Sequence, residues 1–240
     1  MAFTLWSMLH ETTSNLASKT PRARRRDANL SRILEAAMEL VAEGGLEALS
    51  MGRLAEAVDY TPGALYRYFP SKDALLAGLL AQVLDELQVF LVQSAEVVNP
   101  LARVFTLAHA YRRFARERPH AFGFLSSTIA EPRILVGGAD ANPVAERSIA
   151  LLELVATALG DAASQKLIDD EPGTPLERTL TLFATLQGLL QLQKQSRFES
   201  ALVDLGPLVT HAVRTLLIGW GGKARGVDAA SSIAGTGGKS

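Results

Sequence analysis

Between Thr61 and Lys72 the chain sets hydroxyls and cations around a patch of very small residues. Pro62, Gly63 and Ala64 leave a helix backbone open to close approach, and Tyr66, Arg67, Tyr68 and Lys72 follow. Nothing in this group is an activated nucleophile. Thr61, Tyr66, Tyr68 and Lys72 are instead the types that grip phosphate, and amides at helix starts near residues 61 and 71 add oriented donors. The chemistry is recognition: base edges met by the small-residue end of a helix, phosphates held by what flanks it.

The elements that must hold these residues are legible on either side. Ser50 is an N-cap, and Leu49 can staple onto Leu54. Met51, Leu54, Ala55 and Val58 then recur on one helical face. Asp59 suits a left-handed turn position, which Asp tolerates better than most residues. Thr61 caps the next helix, Pro62 presets its first residue, and Leu65 and Phe69 face inward. Pro70 ends that helix and Ser71 caps the one after it. This is the pattern of a helix-turn-helix.

The segment resembles the DNA-binding domain of the TetR family of bacterial transcriptional regulators. The family's recognition region runs Ser/Thr, a small or polar residue, Gly, a small residue, Leu-Tyr-x-His/Tyr-Phe, then a lysine and an apolar pair. Here the run is Thr61-Pro62-Gly63-Ala64-Leu65-Tyr66-Arg67-Tyr68-Phe69, then Pro70-Ser71-Lys72 and Leu75-Leu76. The resemblance covers roughly residues 28–76. It departs at Asp59, where the family usually has Gly, at Tyr60, where a smaller aliphatic is common, and at Tyr68, where His is frequent. The candidate DNA-binding set is Arg25, Arg26, Ser50, Met51, Thr61, Pro62, Gly63, Ala64, Tyr66, Arg67, Tyr68 and Lys72.

Composition bounds the other readings. The net charge is −1, so a nucleic-acid footprint must be local, as at Arg22, Arg24, Arg25 and Arg26. No cysteine is present, which excludes disulfides and thiolate metal sites and fits a reducing cytoplasm. No apolar run approaches the ~18 residues of a membrane span, so a soluble, cytoplasmic chain with no membrane partner is expected. Four scattered histidines lack metal-ligand spacing, and Asp169-Asp170-Glu171 is not a calcium-loop pattern. Without G-x-S-x-G or a phosphate-cradling glycine loop, no catalytic residue, cofactor or metal is expected, and the chain does not read as an enzyme.

Strand signals are lacking, and the expected fold class is all-α: a three-helix helix-turn-helix domain followed by a helical ligand-binding and dimerisation domain. Residues 1–26 read as a mobile leader and basic arm, 27–72 as the helix-turn-helix domain, 73–221 as the helical domain and 222–240 as a disordered tail. The first helix is placed at about Asp27–Ala42, with Ile33, Leu34, Ala37, Leu40 and Val41 buried and Gly44-Gly45 at its end. A fourth helix, Ser71 to about Gln93, has an apolar stripe too wide for a single seam. Later helices start at Asn99-Pro100, Asn142-Pro143, the capping box Thr174-Pro175-Leu176-Glu177, and Gly206-Pro207. The helix after Asn142-Pro143 is expected to close at Gly160.

The resemblance implies that the last two helices pair with their copies. The candidate dimer residues are Phe183, Leu186, Gly188, Leu190, Val209, Val213, Leu216 and Leu217. Phe183-x-x-x-Gln187-Gly188 is loosely similar to a Trp-x-x-x-His-Gly pattern of one C-terminal type, with both the Trp and the His replaced. The resemblance also implies a ligand pocket among the middle helices, for which the candidates are Phe105, His109, Tyr111, Arg112, Phe122, Phe124, Ser126 and Ser127, with His120 and Thr128 as further polar wall residues. The function expected is a ligand-responsive transcriptional regulator, a repressor by what the resemblance implies. It would bind a pseudo-palindromic double-stranded operator as a homodimer and be released by a small-molecule effector. The alternative is a helical ligand- or partner-binding protein without operator recognition.

Overall fold

The computed structural model describes residues 20–94, 96–195 and 205–236; residues 1–19 of the expected leader lie outside them. Among the described residues there is no strand. Contacts divide the chain into two compact units, Met1–Leu75 and Leu76–Ser240.

In the first unit α1 spans Pro21–Ala48 and is interrupted where Gly44 and Gly45 leave helical geometry, Gly45 at φ 70°. Ile33, Leu34, Ala37 and Val41 are its buried stripe, whereas Leu40 is half-buried. Its start corrects the expected boundary, because residues 21–26 are helical and not an irregular arm. Thr20 caps the helix by accepting from the Ala23 amide at 3.3 Å, and Pro21 takes its first position. Arginine is a good helix former, so the basic run propagates what that start nucleates. Helix α2 is Met51–Ala57 and α3 is Pro62–Leu65. Between them Asp59 takes φ 57°, the left-handed conformation the turn demands. Leu49, Leu54, Val58, Leu65 and Phe69 complete the small core. Ser71 accepts from the Ala74 amide at 2.9 Å and opens α4, Lys72–Val92.

The second unit is built around α5, Pro100–Glu117, whose Leu101, Val104, Phe105, Leu107, Tyr111 and Phe114 are all buried. Asn99 caps it by accepting from Ala102 N at 3.0 Å. Then follow α6 (Pro119–Ala130), a 3-10 turn at Gly138–Ala141, α7 (Asn142–Ser164), α8 (Pro175–Gln195) and α9 (Leu205–Gly219). Helix α7 runs through Gly160 instead of closing there. The capping box forms as its residue types dictate: Glu177 Oε2 accepts from the Thr174 amide at 2.7 Å, and Thr174 Oγ1 accepts from the Glu177 amide at 3.3 Å.

Two further expectations are corrected. Residues read as a disordered tail contain α10, Ala224–Thr236, which packs on α5 and α9. Its Val227 and Ala230 are buried, and Asp228 pairs with Arg214 at 2.6 Å. Alanine, glycine and serine dominate this helix and most of them are exposed, a composition that looks like a linker in one dimension. Helix α4 is, by length and composition, apolar enough to cross a bilayer, against the expectation that no segment would be. Half of its apolar window is buried inside the protein, and Asp85 and Glu86 on it pair with Arg147 at 2.7 Å and Arg118 at 3.6 Å.

Candidate nucleic-acid interface and ligand cavity

In the first unit the caps at Ser50, Thr61 and Ser71 fix the recognition surface. Ser50 Oγ accepts from Arg53 N at 3.2 Å and Thr61 Oγ1 from Ala64 N at 3.2 Å, so both hydroxyls are already used in starting α2 and α3. Thr61, Pro62, Gly63, Tyr66, Arg67 and Lys72 are exposed, and Ala64 is half-buried. A methyl group built on Gly63 would meet nothing within 4 Å, so the protein itself does not require glycine there. Arg25 and Arg26 are exposed on α1. Met51 is not part of the surface. It is buried at the base of α2, because its position falls on the same face as Leu54 and Ala55. Tyr68 is half-buried; its ring stacks on Tyr60 at 6.0 Å and its hydroxyl accepts from Asn29 Nδ2 at 3.1 Å. That leaves the phenolic proton for an outside acceptor.

The second unit forms a partly open cavity of about 300 Å³, near the lower end of the ~300–1,000 Å³ range of small-molecule sites. Its walls are mostly aliphatic: Leu80, Leu84, Leu87 and Leu91 from α4, Leu107 and Ala108 from α5, and Leu151, Leu152 and Val155 from α7. Tyr111, Phe183 and Leu186 close it on another side. Of the eight candidate pocket residues Tyr111 alone lines it, and of the further polar residues Thr128 does. Phe105, His109 and Arg112 are displaced by helix phase. At 100° per residue they are centred about 120° around α5 from Leu107, Ala108 and Tyr111, with Arg112 at the edge next to Ala108. Phe124 is core, Phe122 packs its ring against Tyr111 at 5.8 Å, and Ser127 donates to the Gly123 carbonyl at 2.8 Å.

A buried polar relay stands behind the cavity wall. The Tyr111 hydroxyl donates to Gln187 Oε1 at 2.6 Å, and Gln187 Nε2 donates to Ser126 Oγ at 3.0 Å. Burial pushes the Tyr111 phenol well above its ordinary pKa. His109 is placed instead beside Thr210, with Nε2 3.2 Å from Oγ1. Burial, and then the nearby Arg112 charge, hold its imidazole below its usual value.

The expected dimer residues are corrected in the same way. Leu186, Leu190, Val209, Val213 and Leu217 are buried within the single chain, and Phe183 turns onto Tyr111 at 5.9 Å. They pack against α5, α7 and the unforeseen α10, which share the apolar circumference of α8 and α9. Leu216 is half-buried; Gly188 is exposed, as are Leu192 and Leu208 on the same two helices. The leucines missed as cavity walls had one signal, the excess width of the α4 stripe.

A capped helix-turn-helix in the first unit and a hollow helical second unit define the class, that of the helix-turn-helix regulatory proteins. Residues 33–79 match the family of bacterial regulatory proteins, tetR family, and residues 104–216 match the tetracyclin repressor-like C-terminal domain. The chain belongs to the TetR family. Over 107 residues it is 34% identical to the HTH-type transcriptional repressor KstR of Mycobacterium tuberculosis, a match covering 44% of this chain and 46% of that one. The chain therefore spans less than half the length of that relative. An uncharacterised HTH-type transcriptional regulator of the same species is 29% identical over 194 residues, 79% of this chain and 90% of the other. FadR of Bacillus subtilis, solved in complex with stearoyl-CoA, shares the fold with a TM-score of 0.65 at 14% identity, over 78% of this chain and 97% of its own.

Proposed function

We propose that the protein is a ligand-responsive transcriptional repressor that binds a pseudo-palindromic operator as a homodimer and is released by a small molecule. The observation that carries this reading is the exposed edge formed by Thr61, Pro62, Gly63, Tyr66, Arg67 and Lys72, a small-residue helix start ringed by hydroxyl and cationic groups. One such helix reads only a few base pairs. Two copies set about 34–36 Å apart read successive major grooves. Gly188, Leu192 and Leu208 offer an apolar face on α8 and α9 for the second copy.

The effector site is the cavity of the second unit, and its lining selects an uncharged, largely apolar molecule or portion of one. That a fold relative was solved with stearoyl-CoA is compatible with such a lining. Helix α4 carries both Lys72 and the wall residues Leu80, Leu84, Leu87 and Leu91. A ligand that prefers one placement of this helix shifts the population away from the DNA-binding arrangement. Ligand and operator then weaken each other's binding by the same factor.

Selection of bound sequences from random duplex DNA tests the reading. A two-half-site consensus with a dimeric protein supports it. A monomer with no preference among duplexes at moderate salt returns the chain to a helical ligand- or partner-binding protein. Filling the cavity with Leu152→Trp is expected to preserve operator binding and abolish release by any effector found.

A further inference from the structure

Helix α1 is longer than its domain requires. It contributes no buried side chain before Ile33, yet it begins at a Thr20-capped Pro21. The stretch from Pro21 to Asn29 rises about 12 Å. Arg22, Arg25, Arg26, Asn29 and Arg32 recur at i, i+3, i+4, i+7 and i+10, a single stripe along the helix.

The lower members of the stripe fix where it points. Asn29 Nδ2 donates to the Tyr68 hydroxyl, and Arg32 Nη2 donates to the Val58 carbonyl at 3.2 Å while its guanidinium lies 5.2 Å from the Tyr60 ring centroid. Val58 and Tyr68 bracket the recognition helix α3 in the chain. Arg22, Arg25 and Arg26 carry the same stripe outward beyond the domain. They are exposed, and no hydrogen bond or ion pair among the described residues uses their guanidinium groups. Arg24 falls outside the stripe, about 160° around the helix from Arg22 and Arg26 and about 100° from Arg25 at 100° per residue.

We propose that this overhang is a second, sequence-independent DNA contact, in which Arg22, Arg25 and Arg26 bind the sugar–phosphate backbone flanking the bases read by α3, and Arg24 takes no part. The inference rests on the DNA-binding reading and changes its form: the basic segment is a helix with a face, not a loose arm. Its length spans between three and four base-pair rises at ~3.4 Å each. Holding three guanidinium groups on a preformed helix also costs less ordering entropy on binding than fixing them one by one from a flexible chain.

The test uses the full chain on a duplex carrying its selected site, with affinity measured across a salt series. Alanine is at least as good a helix former as arginine, so substitution leaves α1 intact. Arg22→Ala, Arg25→Ala and Arg26→Ala are each expected to reduce the slope of log affinity against log salt by about one per half-site, whatever the duplex sequence. The triple variant is expected to bind at least tenfold more weakly at fixed salt and to lose the outermost protections in a hydroxyl-radical footprint. Arg24→Ala leaves slope and footprint as in the wild type. A triple variant with an unchanged slope overturns the proposal, and so does an Arg24→Ala effect equal to the others, which is the behaviour of an unstructured arm. If wild-type protein binds no duplex at all, the operator reading itself fails, a result distinct from either.

Discussion

The Tyr111 hydroxyl and Gln187 Oε1, seventy-six residues apart in sequence, lie 2.6 Å from each other in the interior of the second unit. The bond ties α5 to α8 behind the cavity wall. It also consumes the one phenolic proton on that wall, so a ligand meets Tyr111 as a ring and not as a donor. The hydrophobic rings beside it, Phe122 and Phe183, hold the same tyrosine from two sides.

Tyr111→Phe keeps those ring contacts and strands the Gln187 acceptor in an apolar interior. A cost of about 1–3 kcal/mol in denaturant unfolding is expected. Replacing both partners, as Tyr111→Phe with Gln187→Met, recovers part of it. An unchanged midpoint for the single variant would show that the relay carries no stability.

At the recognition edge, two substitutions separate grip from fit. Lys72→Ala is expected to weaken binding to all duplexes alike and to lower the salt slope by about one per half-site. Gly63→Val is expected to abolish operator binding while thermal unfolding moves little, because nothing within the protein lies near a Cβ at that position. Full operator affinity in Gly63→Val would mean that α3 does not enter the groove by its small-residue end.

His109 makes stability depend on pH. Its folded-state pKa lies below 6.5, because burial and then the Arg112 charge disfavour the imidazolium. As pH falls below about 6.5 the unfolded chain takes up a proton that the folded chain refuses, so stability is full above that value and declines below it. The slope contributed by this one group is at most about 1.4 kcal/mol per pH unit. His109→Asn is expected to remove that component, read as the difference between the two proteins' unfolding free energies at pH 7 and pH 5. Parallel pH profiles would assign the dependence to other groups.

The C-terminal helix is expected to be part of the folded unit. Val227 is fully buried, so Val227→Ala should cost about 2 kcal/mol, while Ala229→Ser on the exposed side of the same helix should stay within about 0.5 kcal/mol. Equal silence at both positions would mean that residues 224–236 contribute nothing to the fold.

Local chemistry was legible wherever a backbone group and a side chain a few residues apart satisfy each other. Ser50, Thr61, Ser71, Asn99 and Thr174 are caps in sequence and caps in three dimensions, and Asp59 occupies the left-handed turn its type allows. The Thr20-Pro21 start obeys the same rule, and the arginines that follow it hid the helix behind a reading of charge. Met51, by contrast, was legible twice, as a stripe residue and as a surface residue, and only packing chose between them.

The amino-acid sequence alone determined the all-helical class, the helix-turn-helix and the small-residue edge of α3, because each depends on interactions spanning a turn or two of chain. Tertiary structure decided which side of α5 faces the cavity, which leucines of α8 and α9 are core, and that a Gly/Ala/Ser-rich end folds as α10. Those outcomes turn on helix phase and on neighbours more than fifty residues away. A residue's type says that it prefers burial; only the packed arrangement of α4 to α10 says against what.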